Sequence, residues 1–206
     1  MIRFVLRGFS VEITFLFVVT VVFCLISDQT GIAAMALFAC FLHECGHLLA
    51  FCLTGHMPRA LIFELTCIRL VPPASYPGFF GALFIQSAGI LVNLTMAVLC
   101  RVLSQETAAA VHLLLGLLNA LPLSTLDGGQ ILLLLLTKWF PVKGASVCTA
   151  VDGICTALLC AGCILMFLND RGNLTLLIFS GGLLSALAGG IFGKRKHRRA
   201  KAHSGV

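Results

Sequence analysis

The chain has 206 residues and a mass of 22.0 kDa, a length that suits one domain or two small ones. Hydrophobic residues make up 59% of it and charged residues 11%, with a mean hydropathy of +1.05; an ordinary soluble domain carries about 25% charged residues. Too little polar surface remains to cover a water-exposed core, and disorder, collagen and a disulfide-stapled secreted module are excluded with it. The composition describes a polytopic membrane protein. Most of the ten cysteines lie in or beside apolar runs, where a thiol acts as a small hydrophobe. Cys160 and Cys163 match a CxxC pattern without the second pair or βαβ context of a metal or redox site.

Apolar runs occur at roughly 9–27, 31–53, 79–103, 108–140, 146–168 and 174–192, and a helix needs ~20 such residues to cross the hydrocarbon core. The first run is followed by Ser27-Asp28-Gln29-Thr30 rather than a small-residue cleavage site, so it reads as a retained span. Between the second and third runs, Leu61, Phe63, Leu65 and Cys67 alternate with Ile62, Glu64, Thr66 and Ile68. That period predicts a short strand or hairpin against the inner membrane face, with a helical interfacial segment as its competitor. The fourth run is too long for one straight helix and is interrupted by Pro122 and by Gly128-Gly129. Breaks at membrane depth survive only where protein or a polar cavity satisfies the freed backbone.

Six spans put both termini on one side. With that side cytoplasmic, twelve of the fourteen Lys and Arg residues lie inside, leaving Arg101 and Arg171 outside, as the positive-inside rule demands. The basic tail 193–206 accounts for the net charge of +6 and reads as an orientation signal and anionic-lipid contact, not as a nucleic-acid site.

Ionisable groups inside a span are expensive and usually functional. The second run contains His43-Glu44-Cys45-Gly46-His47. Histidines four apart share one helical face, so both imidazoles can reach one metal ion, and the glutamate beside them can serve as base toward water. Chance would produce this pattern in about 0.3% of chains of this composition. The alternative is a pair of satisfied histidines packed in a bundle. Hydrolytic zinc takes three protein ligands. His112 sits near the outer end of its run, His56 at the inner interface, and His197 and His203 in the tail, which leaves Asp127 in the broken run. Counting ~1.5 Å per residue puts His43 about 15 Å from the span end at Leu53 and Asp127 about 16 Å from Lys138, a common depth. A divalent cation would hold the Asp127 and Glu44 carboxylates ionised there.

These residues resemble the site-2 protease family of intramembrane zinc metalloproteases. His43-Glu44-x-x-His47 in one span and Asn119-x-x-Pro122-x-x-x-Leu126-Asp127-Gly128 in another carry the resemblance, and Ser87-Ala88-Gly89-x-x-x-Asn93 is similar to a further motif of that family. Small size and six spans look most like the stage IV sporulation protein FB branch. The resemblance spans about residues 35–135. It implies one zinc ion on His43, His47 and Asp127, with Glu44 as general base and later proton donor. Asn119 would orient substrate or stabilise the oxyanion, and Asn93 would make either an interhelical hydrogen bond or a substrate contact. Thr125 and Ile90 replace prolines common in the family, and Gln130 replaces an arginine; the ATP regulation that the resemblance implies for members with a C-terminal nucleotide-binding CBS domain is not carried over.

The expectation is therefore one membrane-embedded, all-α protease domain over 1–206, with about six transmembrane helices and a short β segment at the cytoplasmic face. One helix would be broken at the metal site. Substrate would be held in extended form by edge pairing near Leu61–Val71. The resemblance implies a bacterial cell membrane, such as that surrounding a forespore, a membrane-associated pro-sigma factor as substrate, and inhibitory membrane partners; self-association is open. The nearest alternative substrates are an anti-sigma factor or a signal-peptide remnant. From other classes, a metal-ion transporter using the same three ligands and a catalytically idle relative remain as rivals.

Overall fold

The computed structural model describes residues 2–6, 9–63, 68–71, 73 and 77–169. The chain divides into two units, residues 1–121 and 122–206. The sixth apolar run, Arg171 and the basic tail lie outside the described residues.

The first unit begins with strands β1 (Ile2–Leu6) and β2 (Phe9–Ile13), an antiparallel hairpin. This corrects the expected first span at 9–27: its opening residues Phe9, Val11 and Ile13 alternate with Ser10 and Glu12, a strand period, and Arg3 pairs with Glu12 across the hairpin at 3.0 Å. Helix α1 (Phe15–Ser27) starts only at Thr14, whose Oγ1 accepts from the Phe17 amide and donates to the Phe63 carbonyl. Helix α2 (Ile32–Leu53) follows, then strands β3 (Ala60–Phe63) and β4 (Ile68–Val71), so the hairpin expected at 61–71 is present. It joins the first as one sheet in the order β1-β2-β3-β4, with β2 and β3 parallel. Phe63 sits on the central strand β3, so within the segment Leu61–Val71 it is β4 that lies at an edge of the sheet. Leu70 of β4 packs on a core of Ala50, Phe51, Ile85 and Ala88.

Helix α3 (Phe79–Val102) and helix α4 (Glu106–Asn119) complete this unit. Arg101 and Glu106 form an ion pair across the turn joining them. Helices α2 and α3 meet where Gly46 has no side chain: a Cβ there would lie 2.8 Å from Val92 Cγ2 and 3.0 Å from the Ala88 carbonyl oxygen. Gly116 plays the same part between α4 and α3, against Leu94 and Asn93. Small residues at helix crossings are the membrane solution to close packing.

The second unit contains helix α5 (Asp127–Trp139) and helix α6 (Gly144–Asn169). The fourth run is thus two helices, interrupted at 120–126; Gly128 and Gly129 belong to the first turn of α5 and not to the break. Among the described residues three helices are long and apolar enough to cross a membrane: α2, α3 and, over Gly144–Gly162, α6. At 13 and 14 residues, α1 and α4 extend only about 20 Å against a hydrocarbon core of about 30 Å. Side chains such as Phe23, Phe38, Leu99 and Leu158 project outward and are exposed. Outward faces of that kind suit lipid, and buried fractions of only 28–33% in the three long helices agree.

Candidate metal centre

Helix α2 runs unbroken through the motif, so His43 and His47 stand one turn apart on its buried face, with Glu44 half-buried between them. Their Nε2 atoms are 3.2 Å apart and their rings meet edge to face, with centroids 4.8 Å apart. His47 Nδ1 lies 2.7 Å from the Ile85 carbonyl oxygen on α3. A carbonyl only accepts, so His47 carries its proton on Nδ1 and presents a lone pair at Nε2. That is the tautomer a metal ligand needs, fixed by its partner in the usual manner.

Space for an ion is provided by a missing side chain. A Cβ on Gly89 would stand 2.4 Å from His47 Nε2, 2.6 Å from His43 Cε1 and 2.7 Å from His43 Nε2. Gly89 therefore forms a bare floor beneath both ring nitrogens, and the donor chemistry and cradle of this histidine pair fit zinc.

Four residues beyond Gly89, Asn93 is fully buried at 0% exposure. Its Nδ2 lies 3.2 Å from His43 Nδ1, and its Oδ1 lies 3.1 Å from Nδ1 of His112 on α4, itself 4% exposed. Of the two roles open for Asn93, the interhelical hydrogen bond is the one present. His112, set aside as a ligand from sequence, stands behind the pair, joined to His43 through Asn93.

Asn119 is the last residue of α4, half-buried, and its amide donates to the Leu115 carbonyl at 3.1 Å.

In the second unit, Asp127 is the first residue of α5 and half-buried. A carboxylate there is favoured by the unpaired amides and dipole of the helix start. The loop before it is held from two sides. Asp152 of α6, 5% exposed, accepts from the Ser124 amide at 3.0 Å and from Ser124 Oγ at 2.6 Å. Gln130 Nε2 donates to the Ser124 carbonyl at 2.6 Å. Gly129 lets the loop fold back against α5, since a Cβ there would lie 2.0 Å from the Leu123 carbonyl oxygen. The amide, hydroxyl and carbonyl of Ser124 in the broken run are thus satisfied within protein. Asp152 was not among the residues singled out from sequence, nor was His112 given a role.

A scan against protein-family models and a search of curated proteins each gave no match. Among solved structures, the chain is similar to the site-2 protease from Methanocaldococcus jannaschii, with a TM-score of 0.65 and 21% sequence identity over 88% of this chain and 91% of that one. What that similarity establishes is architecture: this chain has the fold of a site-2 protease.

Proposed function

We propose that the protein is an intramembrane zinc metalloprotease that hydrolyses a peptide bond within or next to the bilayer. The observation that carries this reading is the prepared histidine pair: two Nε2 atoms 3.2 Å apart over the bare backbone of Gly89, one step from a glutamate. Asp127 is the third ligand in this proposal, as the site-2 protease resemblance implies, and two imidazoles with a carboxylate form a donor set that suits hydrolytic zinc.

A zinc ion bound there supplies a Lewis acid that acidifies water and polarises a carbonyl. Glu44 takes the proton from the attacking water and returns it to the leaving amine. Asn119 offers a hydrogen bond to the developing oxyanion. An amide has two donor hydrogens, and the bond to Leu115 uses one of them. Asn93 acts on His43 and not on substrate.

The peptide to be cut must be locally extended, because a helix keeps its carbonyls in its own hydrogen bonds. Strand β4 ends the sheet order and packs through Leu70 on Ile85, whose carbonyl anchors His47. An extended substrate pairing along β4 would lie beside the histidine pair. Membrane-anchored proteins are the substrate class; a pro-sigma factor is the member implied by the sporulation-type resemblance, and an anti-sigma factor or signal-peptide remnant is the alternative.

The test is co-expression with single-span candidate substrates, comparing wild type with Glu44→Gln and recording fragment masses and zinc content. The expected result is one bound zinc in both proteins, with cleavage reduced by about 10²–10⁴-fold in the variant. Unimpaired cleavage by Glu44→Gln would remove the glutamate from the reaction. Zinc transport that survives the substitution, with no cleavage by either protein, would favour the transporter.

A further inference from the structure

We infer that His112, acting through Asn93, is a positioning residue that decides which nitrogen of His43 is free to bind a metal ion; the inference rests on the zinc reading above. The groups concerned form an unbroken buried line: His112 Nδ1 to Asn93 Oδ1 at 3.1 Å, Asn93 Nδ2 to His43 Nδ1 at 3.2 Å, His43 Nε2 to His47 Nε2 at 3.2 Å, and His47 Nδ1 to the Ile85 carbonyl at 2.7 Å. Only the last bond has its direction set by chemistry alone, since the carbonyl must accept. The others have two consistent settings.

In the first, His112 Nδ1–H donates to Asn93 Oδ1 and Asn93 Nδ2 donates to His43 Nδ1. His43 must then carry its proton on Nε2, where it donates to His47 Nε2. All four bonds run one way, and His43 has no lone pair for a metal. In the second, the Asn93 amide is turned by half a revolution, which exchanges its oxygen and nitrogen without altering the outline of the side chain. His43 Nδ1–H now donates to Oδ1, and Nδ2 donates to His112 Nδ1. His43 Nε2 then carries a lone pair and no proton, like that of His47, as ligation requires.

The exchange balances. His43 moves its proton from Nε2 to Nδ1, His112 moves its own from Nδ1 to Nε2, and both rings stay neutral throughout. His112 is required for the second setting because, among the described residues, it is the partner present for the Asn93 amide hydrogens on that side. With an apolar ring at 112, those hydrogens would be buried without a partner, and the metal-ready setting would be disfavoured. A relay of this kind is what a histidine needs when its partner is an amide, which can face either way, and not a carbonyl like that of Ile85.

The test measures zinc affinity in full-length detergent-solubilised protein by competition with a chelating fluorophore, so it does not depend on proteolysis. His112→Phe keeps a ring but loses the acceptor, and should weaken zinc binding about 10- to 100-fold, the range for second-layer partners of ligands. His112→Asn puts an amide oxygen where Nδ1 stood and should bind zinc close to the wild-type affinity. Equal weakening in both variants would mark His112 as packing only and overturn the relay, as would unchanged affinity in His112→Phe. A second readout needs no variant: in zinc-loaded protein with [15N]histidine, His43 should carry its proton on Nδ1 and His112 on Nε2. A proton on Nδ1 of His112 in that state would refute the inference while leaving the zinc reading intact. Wild-type protein that takes up no zinc would overturn both.

Discussion

The ring of His47 lies directly over Gly89, so closely that a Cβ on the glycine would stand 2.4 Å from Nε2. The ring cannot easily give way, because Nδ1 is tied to the Ile85 carbonyl at 2.7 Å on the same helix α3. Two constraints on one imidazole, from residues four apart in sequence, fix where Nε2 points.

Gly89→Ala should therefore lower zinc affinity by about 10- to 100-fold without unfolding the protein. Mid-helix alanine is favoured over glycine by roughly 0.5–1 kcal/mol, so backbone propensity works in favour of the fold while the methyl group displaces both rings. Zinc content after purification, beside the thermal melting curve, reads the two effects separately. A variant holding a full complement of zinc would show that the rings can move.

Asp152→Ala should loosen the segment 120–126. The Ser124 amide and hydroxyl both lose their acceptor, and an unsatisfied buried donor costs about 1–3 kcal/mol. Asp152→Asn should fall between the variant and wild type, because its amide oxygen can still accept one of the two bonds. Limited proteolysis with fragment mass analysis should find new cleavage within 120–126 in Asp152→Ala. Resistance equal to wild type would mean that Gln130 and Gly129 hold the loop unaided.

Asp28 predicts a pH dependence at the entry to α2. Its carboxylate accepts from Thr30 Oγ1 at 2.5 Å, from the Thr30 amide at 2.9 Å and from the Ala33 amide at 2.6 Å. The Thr30 hydroxyl first, and the backbone amides after it, hold its pKa below the ordinary carboxylate value. A folded pKa below the unfolded one means that the stabilisation is complete above the unfolded value and is lost as pH falls through the folded value. Hydrogen exchange at the Ala33 amide should accelerate relative to its intrinsic rate as pH drops below the ordinary carboxylate range. In Asp28→Asn that relative protection should show no such step; a step that persists would assign the effect to another group.

Much of the candidate site was legible in the chain. His43, Glu44 and His47 announce themselves because ionisable residues in an apolar run have few reasons to be there, and their i, i+4 spacing survives in α2 without correction. The motif around Ala88, Gly89 and Asn93 was visible as a pattern, but its purpose was not: Gly89 is needed for what a side chain would strike on a helix more than forty residues earlier. His112 and Asp152 could have been flagged by the same reasoning, each being a lone polar residue in an apolar run. Neither could have been assigned a partner, since Asn93 and Ser124 lie 19 and 28 residues away. The first apolar run begins as a strand and turns helical only at Phe15, because Phe9, Val11 and Ile13 are apolar enough to extend a hydropathy run while alternating with Ser10 and Glu12.

By itself the sequence determined the apolar character of this protein's surroundings, the helical register of its histidine pair and the glutamate placed beside them. Those depend on composition and on separations of a few residues, where the helix repeat dictates geometry. Only the tertiary structure decided that β3 lies inside a four-stranded sheet, that Gly89 floors the histidine pair, and that Asn93 links His43 to His112. Such contacts join helices and strands far apart along the chain. They are fixed by close packing and by the need to satisfy every buried polar group, which no local pattern encodes.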